Sequence, residues 1–399
     1  MRDHDDTPNL CFERRVGNRA SGSAAMEYHV IIAGAGPAGL STALFLLHAR
    51  PDLEGRVLVL EKKVFPREKT CAGALGSRGD RLLNGIGVRV DVPSVPITGI
   101  RFTVPQGTSE RAPGPMGRTV RRLEFDAALA AQARDRGVLL VEGAPVQDIQ
   151  VSRGGVEVAA GEGAYGARLL VGADGLGSFV RRWLGLSFAT LKARVAEVDS
   201  ERVDGDPPRD VLHFDVSNRG LNGYAWDFPT PLEGEIRMSR GVYGLVFPGD
   251  DPPDVMEILD RRLRRIGLDP AAHRKKQMLE RGFEPHEPFS RGRVMLVGEA
   301  AGVDPITGEG IAEAIQYGSV AGAYLADKLT RGQQDLTDWR RHLLRSPVGA
   351  DLLLRRWGAF LCFKYARRPV ELLFARVPKV LDLAAGLFAG SLPPPKRAD

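Results

Sequence analysis

The apolar run Val30 to Ala33 leads into Gly34-Ala35-Gly36-Pro37-Ala38-Gly39, after which Leu40, Ala43, Leu44 and Leu47 recur at helical spacing. A short apolar run bounded by turn residues fits a strand buried on both faces, and the recurrence that follows fits a helix packed over it. Arg56 to Leu60 predicts a second strand, with Glu61 at its end. Strand, glycine turn, helix, strand and then an acidic residue is the order of a βαβ unit that holds a dinucleotide.

Each residue in that unit has a physical task. Gly34 permits the tight turn, Gly36 lets a pyrophosphate approach the backbone, and Gly39 allows close contact between helix and strand. Pro37 and Ala38 open the helix, whose unpaired N–H groups offer themselves to phosphate. Glu61, followed by Lys62, is placed to accept hydrogen bonds from a ribose.

Further along, residues 139–172 break into short strand-like runs separated by glycines, a pattern that predicts a small antiparallel meander returning to the main sheet. The returning strand, Leu169 to Val171, stops in Gly172-Ala173-Asp174-Gly175, small residues and an acid that again imply a ligand at its carboxyl end. Residues 185–285 have a different texture of scattered strands, aromatic residues and prolines, including GYAWDFPTP, and predict a second lobe of mostly antiparallel sheet. From about residue 309 the pattern is helical almost to the end.

Between those regions lies a second glycine-rich strand-to-helix turn, LVGEAAGVDPITGEGI. Arg293 to Val297 reads as a buried strand and Glu309 to Leu329 as an amphipathic helix. Gly298, Gly302, Gly308 and Gly310 are more than a simple connection needs, so backbone is expected to approach a flat, polar ligand closely. Two such turns far apart in sequence suit a ligand with two ends, and FAD is one. Backbone N–H groups near Gly310 and Ile311 would face the flavin edge on which negative charge accumulates during reduction.

Composition narrows this picture only slightly. The chain has 399 residues, 43% of them hydrophobic, with a formal net charge of +5, which argues against a nucleic-acid partner. Its three cysteines, Cys11, Cys71 and Cys362, form no CxxC pair, and the seven histidines show no metal spacing, so no metal site is expected and a reducing, cytoplasmic setting fits. Residues 1–26 read as a disordered polar leader. No run reaches the ~20 apolar residues of a membrane-spanning helix.

Four features together resemble the FAD-dependent oxidoreductases of the para-hydroxybenzoate hydroxylase fold: GAGPAG with Glu61, Arg122-Leu-Glu-Phe-Asp126, GADG at 172–175, and GEAAGVDPITGEGI. Within that fold the chain resembles the geranylgeranyl reductase family. FPREKTCAGAL at 65–75 is similar to that family's Lys-x-Cys-Gly-Gly segment, and Gly223-Tyr-Ala-Trp-Asp-Phe-Pro229 to its Tyr-x-Trp-x-Phe-Pro signature. The resemblance implies an α/β architecture, with a Rossmann-type FAD-binding domain (27–90, 118–184 and 286–335) interrupted by an antiparallel substrate domain (91–117 and 185–285). A helical region (336–399) would follow.

The resemblance also implies roles. Arg122 would reach the flavin nucleotide, Val146 would pack near the adenine, Cys71 and Ala72 would lie by the flavin, and Tyr224 and Trp226 would wall the substrate pocket. Two positions depart from the family pattern: Glu299 stands where Asp is usual, and Ala72 where Gly is usual. The plain reading of Cys71 is an inert thiol, since no histidine is near in sequence to activate it. Trp226 and Phe228, by their alternation alone, are also readable as core on one sheet face, while Tyr224 on the same face as Trp226 favours a lined cavity.

The implied activity is reduction of a C=C bond of an apolar, isoprenoid-like substrate by reduced FAD. Hydroxylation of an aromatic or natural-product substrate by a flavin monooxygenase is the alternative, because the same scaffold hosts both. Either NADPH or an external ferredoxin would serve as electron donor. The C-terminal stretch LLLRRWGAFLCFKYARRPVELLFARVPKVLDLAAGLF mixes apolar and basic residues. It reads as a helical cap with a solvated basic face, or as a membrane-surface element delivering a lipidic substrate.

Overall fold

A computed structural model describes residues 27–390; the expected leader, residues 1–26, lies outside them. Tyr28–Ala33 is the middle of a sheet ordered Ser290–Arg291, Val294–Leu296, Gly163–Gly172, Tyr28–Ala33, Val57–Leu60 and Leu139–Val141. Neighbours pair in parallel, Val30 facing Leu169 on one side and Val57 on the other, except for the antiparallel pair at the Ser290 edge. Val30 to Ala33 are fully buried, which is why that run is apolar throughout instead of alternating. The meander Val146–Val151 and Val156–Ala160 returns antiparallel into Gly163–Gly172.

Helix Pro37–Ala49 follows the first glycine turn and helix Ile311–Thr330 the second. A Cβ on Gly318 would lie 2.0 Å from Ser41 Oγ, and one on Gly322 would lie 2.6 Å from Phe45 Cβ. Both contacts advance in the same direction along the two helices, so the helices are parallel and in close contact, and both glycine turns are brought to the same end of the molecule.

The second lobe is a seven-stranded sheet ordered Lys276–Arg281, Lys192–Ser200, Glu235–Val246, Gly223–Leu232, Val211–Asp215, Gly99–Val104 and Gly107–Arg111. The expected antiparallel sheet contains one parallel pair, Val211–Asp215 beside Gly99–Val104. These two strands are separated in sequence by a long excursion through the first lobe, so no hairpin obliges them to reverse direction. The segment 91–117 divides: Ser94–Ile97 joins a small sheet with Ala74–Gly76 and Gly117–Val120, while the two strands after it join the large one.

Helix Val255–Arg265 buries Leu259 and Leu263 against one face of the large sheet. On its other face, Leu381, Ala385 and Phe388 of helix Pro378–Ala389 join a cluster with Phe214, Tyr224, Trp226 and Phe228. The helical C-terminal region thus covers the aromatic side of the second lobe.

Candidate active site

The two glycine turns touch. Gly298, at φ +59°, would place a Cβ only 2.5 Å from Ala38 Cβ, so the second turn rests on the first residues of the helix that follows the first turn. Gly39 packs under the first turn, where a Cβ would fall 1.9 Å from the Gly34 carbonyl oxygen. A single cleft of about 540 Å³ runs from these turns to the aromatic face of the second lobe.

Gly34, Gly36, Pro37, Ala38, Glu61, Lys62, Cys71, Ala72, Arg122, Val146, Asp174, Glu299 and Gly310 all line that cleft, with Tyr224 and Trp226 at its far end. Gly39, Gly298 and Ile311 do not line it; they lie beneath its floor and set the spacing of what does. Neither Gly36 nor Gly310 caps its helix through a side chain, so both N-termini open on the cleft without a side-chain partner. Space beside Gly36 is open, its nearest neighbour for a Cβ being Arg67 Nη2 at 3.9 Å. Uncapped helix ends with room for phosphate are the arrangement an anionic nucleotide requires.

Polar side chains around this end are held rigidly. Glu61 accepts the Ala35 N–H at 2.9 Å and the Lys63 N–H at 3.1 Å, fixing the carboxylate at the rim of the first turn. Arg122 makes a two-pronged pair with Asp126, 2.7 Å at each nitrogen, and Arg67 reaches the same carboxylate at 3.1 Å. Asp174, expected to meet the ligand, uses its carboxylate locally, accepting from the N–H groups of Phe179 at 2.6 Å and Val180 at 3.1 Å and from the Ser178 hydroxyl. Glu299 faces Lys69, 3.5 Å away.

The far end is apolar because alternate residues of adjacent strands point the same way. Phe214 lies opposite Trp226, and Tyr224 opposite Tyr243, so their rings form one wall. Tyr224 and Tyr243 stack at 5.2 Å, and Phe214 meets the rings of Tyr224 at 5.2 Å and Phe228 at 5.0 Å. Trp226 and Phe228 are therefore both core and cavity wall. Phe388, from the last helix, closes this end.

Several ionisable groups in the cleft are shifted by burial, Cys71, Glu197 and Glu280 among them. Desolvation raises the Cys71 thiol, although the neighbouring Arg122 guanidinium opposes the shift, so the neutral thiol is favoured. Burial pushes Glu197 up to about 7, and its Oε2 has no hydrogen-bond partner. Glu280 is raised well above the carboxylate range by burial and by the nearby Glu299 and Asp304.

Below the second turn lies a charged cluster. Arg355 Nη1 pairs with Asp304 at 2.7 Å, its Nε with Asp351 at 3.1 Å, and its Nη2 approaches Glu309 at 3.4 Å. Asp304 in turn accepts the Ile306 N–H at 2.7 Å and shapes the DPITGEG turn. Arg355 was expected on a solvated basic face and is instead 5% exposed, a buried counter-ion of the turn. Sequence reading also passed over Tyr243, Glu197 and Glu280, whose only local signal is alternation along their strands.

Comparison with known proteins agrees with this geometry. The model of the FAD binding domain family matches residues 27–353. Digeranylgeranylglycerophospholipid reductase of Methanothrix thermoacetophila is 30% identical over 325 residues, covering 77% of this chain and 80% of that one. Digeranylgeranylglycerophospholipid reductase 1 of Methanopyrus kandleri is 29% identical over 340 residues, covering 79% and 85%. The crystal structure of a geranylgeranyl bacteriochlorophyll reductase-like protein from Thermoplasma acidophilum aligns with TM-score 0.75 at 21% identity, over 90% of this chain and 96% of that one, a likeness of fold. The touching turns, open helix ends and ribose-ready Glu61 fit FAD, and the chain belongs to the FAD-binding domain family as an FAD-dependent oxidoreductase of the geranylgeranyl reductase type.

Proposed function

We propose that the protein reduces a C=C bond of an apolar, isoprenoid-like substrate. The observation that carries this reading is the continuity of the cleft: the glycine turns that suit FAD open directly onto the wall formed by Phe214, Tyr224, Trp226, Phe228 and Tyr243. When bound, reduced FAD supplies a hydride. The chain's own residues then exclude water from the reacting bond and hold an extended apolar chain against the nucleotide. The relatives named for an isoprenoid lipid support this substrate class. Electrons would come from NADPH or from an external ferredoxin.

The same reading gives the C-terminal helices a task. Leu354, Trp357, Leu361 and Tyr365 recur every three or four residues and are 60%, 71%, 53% and 72% exposed. Arg368, Arg376 and Lys379, also exposed, have no acidic partner among the described residues. Apolar side chains ringed by free cations suit a bilayer bearing anionic headgroups. No helix among the described residues is long and apolar enough to cross a membrane, so contact would be at the surface. These helices also close the apolar end of the cleft through Phe388, a short path for a lipid.

The test is anaerobic. Protein reduced with dithionite and mixed with a detergent-dispersed geranylgeranyl lipid should yield a product heavier by a pair of hydrogen atoms per double bond, read by mass spectrometry. A product formed only in air and heavier by oxygen would overturn the reductase reading in favour of hydroxylation.

A further inference from the structure

Reducing an alkene needs a proton as well as a hydride, and among the buried acids that line the cleft Glu280 is the one held against its aromatic wall. Glu280 lies on the edge strand Lys276–Arg281, facing Ala193, on the side of the sheet that carries Met278 and Tyr243 into the cleft. Its Oε1 accepts the Tyr243 hydroxyl proton at 3.1 Å. Its Oε2 lies 3.1 Å from where a Cβ on Gly308 would stand. Tyr243 stacks on Tyr224, whose hydroxyl donates to the Thr307 carbonyl of the second glycine turn. The carboxyl is thus fixed at the junction between the aromatic wall and the turn.

We propose that Glu280 is the proton donor of the reduction, a role that rests on the reductase reading above. The π bond breaks as one alkene carbon accepts a hydride from reduced FAD, which is oxidised to FAD, and the other carbon accepts the proton from the Glu280 carboxyl. The Glu280 carboxylate then recovers a proton from solvent.

The charged groups around it favour this role. Burial together with Glu299 and Asp304 pushes its proton affinity up, while the Tyr243 hydrogen bond and Lys69 oppose them, and the net direction is upward, toward the protonated acid. A carboxylic acid held neutral in an apolar site is a recurrent way of having a donor at pH 7. Tyr224 and Tyr243 are poorer candidates, because burial raises both phenols well above their ordinary range.

The test uses the FAD-loaded enzyme and the variants Glu280→Gln, Glu280→Asp and Glu197→Gln. Glu280→Gln should retain the wild-type flavin spectrum, dithionite reduction and KM, and lose roughly 100-fold or more in kcat, the scale of general-acid catalysis. Glu280→Asp should recover part of that loss. Infrared difference spectra of wild type against Glu280→Gln at neutral pH, with and without FAD, should show the carbonyl stretch of a protonated carboxylic acid, independently of turnover. Turnover of Glu280→Gln within tenfold of wild type, a carboxylate signature for Glu280 at neutral pH, or a loss confined to Glu197→Gln would each overturn the assignment. Failure of the wild type itself to reduce any alkene would instead sink the reductase reading, and the donor role with it.

Discussion

Replacing Glu197 with Gln should abolish a pH dependence of stability that the fold builds in. Glu197 is 5% exposed; its Oε1 accepts the Cys71 N–H at 3.2 Å, and its Oε2 is buried without a partner. Desolvation therefore raises the carboxyl from 4.5 to about 7, with Lys276 and Arg121 opposing and Asp199 assisting. A folded-state value above the unfolded one means that the native chain holds a proton the unfolded chain has released. The stabilisation is complete below about pH 4.5 and is lost as the pH rises through about 7. At about 1.4 kcal/mol per pH unit, the loss across that window is about 3 kcal/mol. Gln mimics the protonated acid, keeps an oxygen for Cys71 and does not titrate. Urea unfolding at about pH 5 and about pH 8, at fixed FAD concentration, should show the variant gaining about 2 to 3 kcal/mol on wild type between the two conditions. An unchanged gap would show that Glu197 is solvated in the native state and refute the argument.

Four further outcomes follow from the same geometry. Gly298→Val adds a left-handed strain of about 1 to 2 kcal/mol and drives a side chain into Ala38, so FAD should be lost on gel filtration while the fold survives by circular dichroism. Arg355→Leu leaves Asp304, Glu309, Glu313 and Asp351 without their shared counter-ion, and urea unfolding should show a loss of about 3 to 5 kcal/mol. Changing Trp357, Leu361 and Tyr365 together to Ser should abolish flotation with vesicles rich in anionic lipid and leave FAD content intact. Cys71→Ser should turn over within about twofold of wild type across the pH range, since a thiol kept neutral by burial supplies no nucleophile.

The first glycine turn was legible from sequence because its determinants are local. An apolar run, three glycines and an acid sit within about thirty-five residues, and the strand beneath them is buried on both faces whatever the rest of the chain does. The aromatic wall was half legible. Alternation places Tyr224, Trp226 and Phe228 on one face, but only the register with Glu235–Val246 adds Tyr243 to them. Glu197 and Glu280 could not be read at all. On paper they are charges in strands, expected to be solvated, and their burial comes from residues of the first lobe, the second glycine turn and each other's sheet.

The C-terminal helices show most clearly why charge counting along a sequence misleads. Arg355, Arg367 and Arg368 look alike on paper, within a run of basic residues at helical spacing. Arg355 is buried among four carboxyls under the second turn; Arg367 pairs with Glu371 at 3.0 Å and donates to the Leu221 and Asn218 carbonyls, each at 2.8 Å; Arg368 is exposed, with no acidic partner among the described residues. The first neutralises the second glycine turn, the second pins its helix to the loop after Val211–Asp215 in the second lobe, and the third points to solvent. A helical repeat distributes neighbouring residues over every face, so the sequence records how many charges there are but not which of them has a counter-ion waiting. The proposed cofactor and lipid contacts would consequently have separate determinants, on helices Pro347–Ala359 and Arg367–Arg376. Arg355→Leu should therefore loosen the flavin without altering flotation, and Arg368→Glu should weaken flotation while the protein stays yellow.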